Sequence, residues 1–414
     1  MRINKAFGKW VVAAVGVSNI SEALAWGAAG HEIVATIAQM HLNPPVLPLL
    51  CSILYPEDDG AQPCTLASVA TWADKIRYRA RWSSGLHYVG AVGDHPSDTC
   101  VFPGDNGWAG REGINVLGGI RNTSSILDEF VALALSGRGG AELKVAGNAT
   151  SLAQEALKFL IHFVGDLHQP LHLTGRDRGG NGDKVSWDGR VTNLHSLWDG
   201  LLIAKSLRTI PANYSCPLPV PEIEAALRGA IYDPYIRRIM WQGVGVGAYG
   251  EHAARWEDEV ESWLDCPAPV APGWTDALKQ AVLALVAPRR RIAGPPQTTD
   301  DATLCPYAWA EPIHALNCEL VWPPALDAPE YRTHDACEHG ACGAHAHAHG
   351  AEDEDEDELS ALQRAPRAPR GHYLELDTPE YWGRIEQEWV VEKLLAMGGI
   401  RLAGVLNQIF APLV

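Results

Sequence analysis

Two His-x-x-x-Asp pairs place the tightest constraint on how this chain can fold. They are His162 with Asp166 and His195 with Asp199. Residues four apart share one face of an α-helix, so each pair sets an imidazole beside a carboxylate only if its segment is helical. A lone His on a helix is ordinarily a surface group or a satisfied core residue. Two such pairs, joined by Asp74 in Trp72-Ala-Asp74-Lys75 and by His87, point instead to metal ligation. Mixed nitrogen and carboxylate donors suit Zn²⁺. Pro170 should end the first of these helices and let His172 turn back toward the same point. His168 lies two residues from Asp166, faces elsewhere, and reads as a structural or supporting residue.

Helical periodicity recurs along the chain. The spacing predicts helices over 27–40, 65–79, 110–135, 150–168, 195–207, 221–265, 273–288, 305–321 and 378–410. Residues 95–106 form a loop rich in Pro, Asp and Gly. The Gly- and Asp-rich stretch 174–193 has room for a short hairpin around Asp188-Gly189. Few strands and no internal repeat are visible, so the fold class is mainly α. Hydrophobic residues make up 47% of the 414 and charged residues 20%, which supports a large core and excludes a globally disordered chain. The stretch 325–371 carries His339, His345, His347 and His349, an acidic run from Glu352 to Glu358 and a Pro/Arg repeat. It cannot build a core and reads as a disordered surface insertion. The apolar pattern resumes after it, so 26–414 is read as one helical domain with long loop insertions.

The first 25 residues read as a secretory signal. Arg2, Lys5 and Lys9 precede an apolar stretch too short to span a bilayer, and Ala23-Leu24-Ala25 is a small-x-small cleavage site. No other apolar run suggests a membrane segment. All nine Cys follow this segment, with no C-x-x-C pair, so disulfides are the default and the odd count leaves at least one thiol unpaired or intermolecular. Asn122, Asn148 and Asn213 head glycosylation sequons. The formal net charge of −17 argues against duplex binding by a broad basic face. A phosphate substrate stays open, because bound cations can supply positive charge. Signal cleavage would also free an α-amine at Trp26. That amine and the Trp26 carbonyl can chelate one cation, with His31 nearby in the next helix.

These motifs together resemble the trinuclear-zinc, single-strand-specific nuclease and 3′-nucleotidase family. The matching stretches are WGAAGHEIVATIA, TWADKIR, LHYV, GINVLGGIRNTSSIL, ALKFLIHFVGDLHQPLH, GGN, NLHSLWD, LNCELVWP and MGGIRLAGVLN. They run from Trp26 to about Phe410. The resemblance implies a helical domain of the zinc phospholipase C/single-strand nuclease type holding three Zn²⁺. Asp74, His87, His162 and Asp166 would hold one ion. His172, His195 and Asp199 would hold a second, and Trp26, His31 and a bridging Asp166 the third. It further implies Asp74 orienting the attacking water, Lys75 on the phosphate, Tyr88 stacking on a base, and a Cys100–Cys318 disulfide. Family members often carry Asp three residues after the equivalent of His87, where this chain has Gly90.

The expected activity is secreted endonucleolytic cleavage of single-stranded DNA and RNA to 5′-phosphate products, with 3′-nucleotidase activity. Substrates would be single strands and 3′-mononucleotides, handled by a monomer without a membrane or stable protein partner. Two rivals are a zinc phospholipase C, from which the short Trp26–His31 gap and Asp199 depart, and a zinc-scavenging protein built on the His-rich tract.

Overall fold

The computed structural model describes residues 26–56, 64–103, 107–110, 113–136, 147–215, 224, 226, 227, 232–245, 254–267, 300–329, 331 and 373–414. The signal segment, the 273–288 helix, the His-rich tract and the acidic run lie outside the described residues. What is described is mainly helical, with one two-stranded ribbon.

The first helix, α1 (Ala28–Met40), buries Ile33, Val34, Ile37 and Ala38, the stripe visible in the sequence. After it comes α2 (Val46–Leu54), and then the short α3 (Trp72–Ile76), preceded by a 3₁₀ turn at Ala67–Val69. The single helix expected over 65–79 is therefore split in two. Two long helices, α4 (Val116–Ser136) and α5 (Gly147–Leu167), pack along each other. Their apolar faces hold Ile120, Leu127, Leu157, Leu160 and Val164 in one core.

As expected, α5 stops before Pro170. The Gln169 side chain accepts a hydrogen bond from Leu171 N and opens a 3₁₀ turn, Pro170–Leu173, that carries His172. The ribbon pairs β1 (Lys184–Trp187) with β2 (Arg190–Asn193) through Asp188 and Gly189, both at positive φ. A two-residue turn of this kind matches the twist of its strands. Asn193 then caps the turn Leu194–Ser196, which leads through a π-helical turn, Leu197–Leu201, into α6 (Leu202–Thr209).

The long helix expected over 221–265 is not formed. Its described part contains α7 (Asp233–Arg238) and a π turn at Ile239–Val244, which ends at Gly245 in the left-handed region. Trp256 fills the space beside Gly243, where an added Cβ would lie 2.3 Å from the ring, so the chain folds back there. Further on, α8 (Pro306–Leu316) matches expectation. The last helical stretch is broken into α9 (Arg384–Glu388) and α10 (Val390–Phe410) by Trp389, which adopts positive φ.

By length and composition, Pro379–Leu413 is apolar enough to cross a membrane, although no apolar run there stands out in the sequence. Its apolarity has another use. α10 is the central core helix, packed on α1, α4 and α5. At Gly399 an added Cβ would sit 2.5 Å from Ile37 Cγ2, so glycine sets the close approach of α10 to α1.

Three disulfides, Cys51–Cys64, Cys100–Cys318 and Cys266–Cys305, join described residues. Cys216, Cys337 and Cys342 lie outside the described residues. Cys100–Cys318 closes the longest loop, with a sequence separation of 218. By chain entropy such a link contributes at most about 5 kcal/mol. A Cys100→Ser/Cys318→Ser variant should show a lower urea midpoint and a steeper dependence of stability on urea, because the freed denatured chain exposes more surface.

Candidate metal centre

Six segments bring their ligand-type side chains into one buried region around Asp166 on α5. The Asp166 carboxylate lies 3.3 Å from His31 Nε2, 3.0 Å from His87 Nδ1, 3.3 Å from His162 Nε2 and 3.5 Å from His172 Nδ1. Asp74 Oδ1 stands 3.6 Å from His162 Nε2 and 3.9 Å from His87 Nδ1. His195 Nε2 and Asp199 Oδ2 are 3.2 Å apart. The donors fall into three groups of metal-holding size: His31 with His162 and Asp166; Asp74 with His87 and His162; and His172 with His195 and Asp199. All of these side chains are buried.

Three of the imidazoles are oriented by a carbonyl on their far side. His162 Nδ1 donates to Ala70 O (2.7 Å), His172 Nδ1 to His87 O (2.8 Å) and His195 Nδ1 to Gly179 O (2.7 Å). Such bonds fix the tautomer and leave Nε2 facing the centre. Gly179 belongs to four successive residues at positive φ, Asp177 to Gly180, and an added Cβ there would meet Leu171 O at 2.5 Å. His31 stacks on His162, with ring centroids 3.8 Å apart, against the bare Cα of Gly165. Trp26 is fully buried beside Gly30, and Gly27 N donates to Asp199 O (2.6 Å). The start of α1 is thereby tied to the third group.

Asp74, Asp166 and Asp199 bring three buried carboxylates into this centre. Burial pushes Asp166 up, but His162, His31 and His87 outweigh it and hold the carboxyl well below its usual range. Burial pushes Asp199 well above that range despite a hydrogen bond from Gln169, and the Asp74 and Asp166 charges add to the rise. Burial lowers His162 to about 4, His172 to about 3 and His195 to about 4, so the rings are neutral and able to ligate. His31 Nε2, Asp74 Oδ1, His87 Nε2, Asp166 Oδ1 and Asp199 Oδ2 are buried without a hydrogen-bond partner. Buried polar atoms are rarely left so, and a ligated cation accounts for them. This donor set fits Zn²⁺.

The expected substrate-side residues lie around this centre. Lys75 is exposed next to buried Asp74, and Tyr88 is 54% exposed next to His87. At Gly90 an added Cβ would lie 2.7 Å from Gly175 N, so this close approach leaves no room for a side chain. Asn122 and Asn213 are exposed, while the Asn148 side chain lies outside the described residues. Cys100 and Cys318 are bonded as the resemblance implied.

A model of the S1/P1 nuclease family matches residues 26–242. The chain belongs to the S1/P1 nuclease family. Among its relatives, Endonuclease 2 of Arabidopsis thaliana is 35% identical over 182 residues, 43% of this chain and 56% of the relative. Nuclease S1 of Aspergillus oryzae is 37% identical over 176 residues, 42% of this chain and 53% of the relative. Endonuclease 3 of Arabidopsis thaliana is 27% identical over 413 residues, 97% of this chain and 95% of the relative. The match thus spans 56% and 65% of the lengths of the two Arabidopsis relatives, Endonuclease 2 and Endonuclease 4. In this S1/P1 family chain, α8 and α10 lie beyond the family match yet pack on it.

Sequence reasoning passes over Gln169. Its Nε2 donates to Asp199 Oδ1 (2.6 Å) while its Oε1 accepts from Leu171 N, so one buried amide orients a carboxylate and caps a turn. Only its place between His168 and Pro170 hints at this. His168 proves structural, as expected. Its Nδ1 donates to Val164 O, and its Nε2 accepts from Arg401 on α10. Burial, reinforced by the Arg401 charge, lowers His168 from 6.5 to about 3. The unfolded state therefore takes up this proton first, and stability is lost as pH falls from 6.5 toward 3. Between pH 7 and 5 this one group costs about 2 kcal/mol. His168→Gln keeps both hydrogen bonds without titrating. Its stability gap to the wild type in urea unfolding should shift in its favour by that amount at pH 5.

Proposed function

We propose that this protein is a secreted, zinc-dependent endonuclease that hydrolyses single-stranded DNA and RNA to 5′-phosphate products and also removes 3′-phosphates from nucleotides. The observation that carries this reading is the meeting of three buried His/Asp groups around Asp166 in a member of this family. The disulfides and the signal-like first 25 residues support export.

The residues divide the work. Asp74, His87, His162 and Asp166 hold one cation. His172, His195 and Asp199 hold another. Trp26 main chain, His31 and Asp166 hold a third. When bound, zinc acidifies water and neutralises charge on a phosphate. Asp74 Oδ1, buried and unpartnered, accepts a hydrogen bond from the attacking water and so aims it. Lys75 gives a charge-assisted bond to a non-bridging phosphate oxygen. Tyr88 presents an exposed face for base stacking, which an unpaired strand can reach and a duplex cannot. Gly90 offers no side chain to the base, so discrimination among bases should be weak.

The test is direct. Purified protein should degrade single-stranded DNA, lose that activity on chelation and regain it with Zn²⁺. Cleavage that persists after complete zinc removal would overturn the reading.

A further inference from the structure

We propose that the segment from Lys75 to Trp82 is a binding track for the single strand that flanks the cleaved bond. This rests on the nuclease reading and extends its substrate-binding surface beyond the residues beside the metals.

Both ends of the segment are pinned at the centre. Asp74 precedes it, and His87, 3.9 Å from Asp74, follows it. Between Lys75 and Tyr88 there are four cationic residues, Lys75, Arg77, Arg79 and Arg81, and no acidic one, in a chain of net charge −17. Lys75, Arg79 and Arg81 are exposed. Tyr78 is 63% exposed and Trp82 62%. Among the described residues, the aromatic side chains this exposed are Tyr78, Trp82 and Tyr88, and all three fall in this stretch. Exposed apolar side chains grouped in one stretch mark an interaction surface, where scattered ones would not. Alternating cations and rings fit the phosphates and bases of an unpaired strand, whose bases are free to stack.

The position also fits. Trp82 sets its ring edge-on to Phe159, with centroids 5.7 Å apart. Phe159 lies on α5 three residues before His162, a rise of about 5 Å along the helix. Trp72 touches the same Phe159, and Lys158 lies over the Trp72 ring. A strand entering the centre would therefore run across this face.

The experiment compares kcat/KM for a twelve-residue oligothymidylate with that for a 3′-mononucleotide, at several salt concentrations, on the zinc-loaded protein. In Arg79→Ala/Arg81→Ala the preference for the oligomer should fall about tenfold. Its log–log salt dependence should become shallower by about 1.4, or 0.7 for each phosphate that is no longer neutralised. Trp82→Ala should lose about tenfold on the oligomer, and Trp82→Phe should recover most of that. Wild-type preference retained in all three folded variants would overturn the track while leaving the nuclease intact. A wild-type protein that cuts neither substrate would reject the nuclease reading itself.

Discussion

Asp166→Ala should release bound metal and lower cleavage of single-stranded DNA by about a thousandfold or more. A thousandfold corresponds to roughly 4 kcal/mol of lost transition-state stabilisation. That is modest for a carboxylate that faces four imidazoles within 3.5 Å and is completely buried. Asp166 is shared between the first and third cation sites proposed above, so its loss should disturb more than one of them at once. Asp166→Asn separates charge from shape, because it keeps the volume and removes the negative charge. It should lose metal almost as fully. Metal content by atomic emission, read beside the activity, decides the matter. A variant with full metal and full rate would refute the central place given to Asp166.

Gly165→Ala should do nearly as much without changing any ligand. In an ordinary helix this substitution stabilises by up to about 1 kcal/mol. Here the new Cβ would lie 2.6 Å from His31 Nδ1 and 3.0 Å from its Cε1. His31 has no retreat, because its other face stacks on His162 at 3.8 Å. The two effects have opposite signs, and the clash is the larger because the ring cannot give way. In chelator, the urea midpoint of the variant should fall, since the contact is present with or without metal. With metal restored, activity should fall about a hundredfold and metal content should drop. Wild-type metal content and rate would show that α1 can shift to accommodate a methyl group.

The metal centre is more legible in the sequence than the fold around it. His162/Asp166 and His195/Asp199 announce themselves because four-residue spacing has a meaning that holds before any tertiary contact forms. Even so, Asp199 sits in a π turn rather than a regular helix, and spacing alone does not reveal that. The 221–265 stretch misleads because its apolar residues suit a helix, whereas Trp256 packed on Gly243 turns the chain instead. Nothing in the local sequence marks Trp389 as a helix break. Its left-handed backbone is imposed from outside, in a site where Arg238 and Arg255 both lie over its ring. Helix α2 escapes notice because Pro45 and Pro48 read as breakers, although Val46, Leu50, Ile53 and Leu54 keep helical spacing. Gln169 needs three dimensions, since Asp199 is thirty residues away.

The two ends of the described chain close on each other. Asn407 on α10 accepts a hydrogen bond from Asn43 N and donates one to His41 O, just past α1. The helix that delivers His31 is thus braced by a residue more than 360 positions further along the chain. Asn407→Ala, which touches no ligand, should therefore loosen the seat of His31 from a distance.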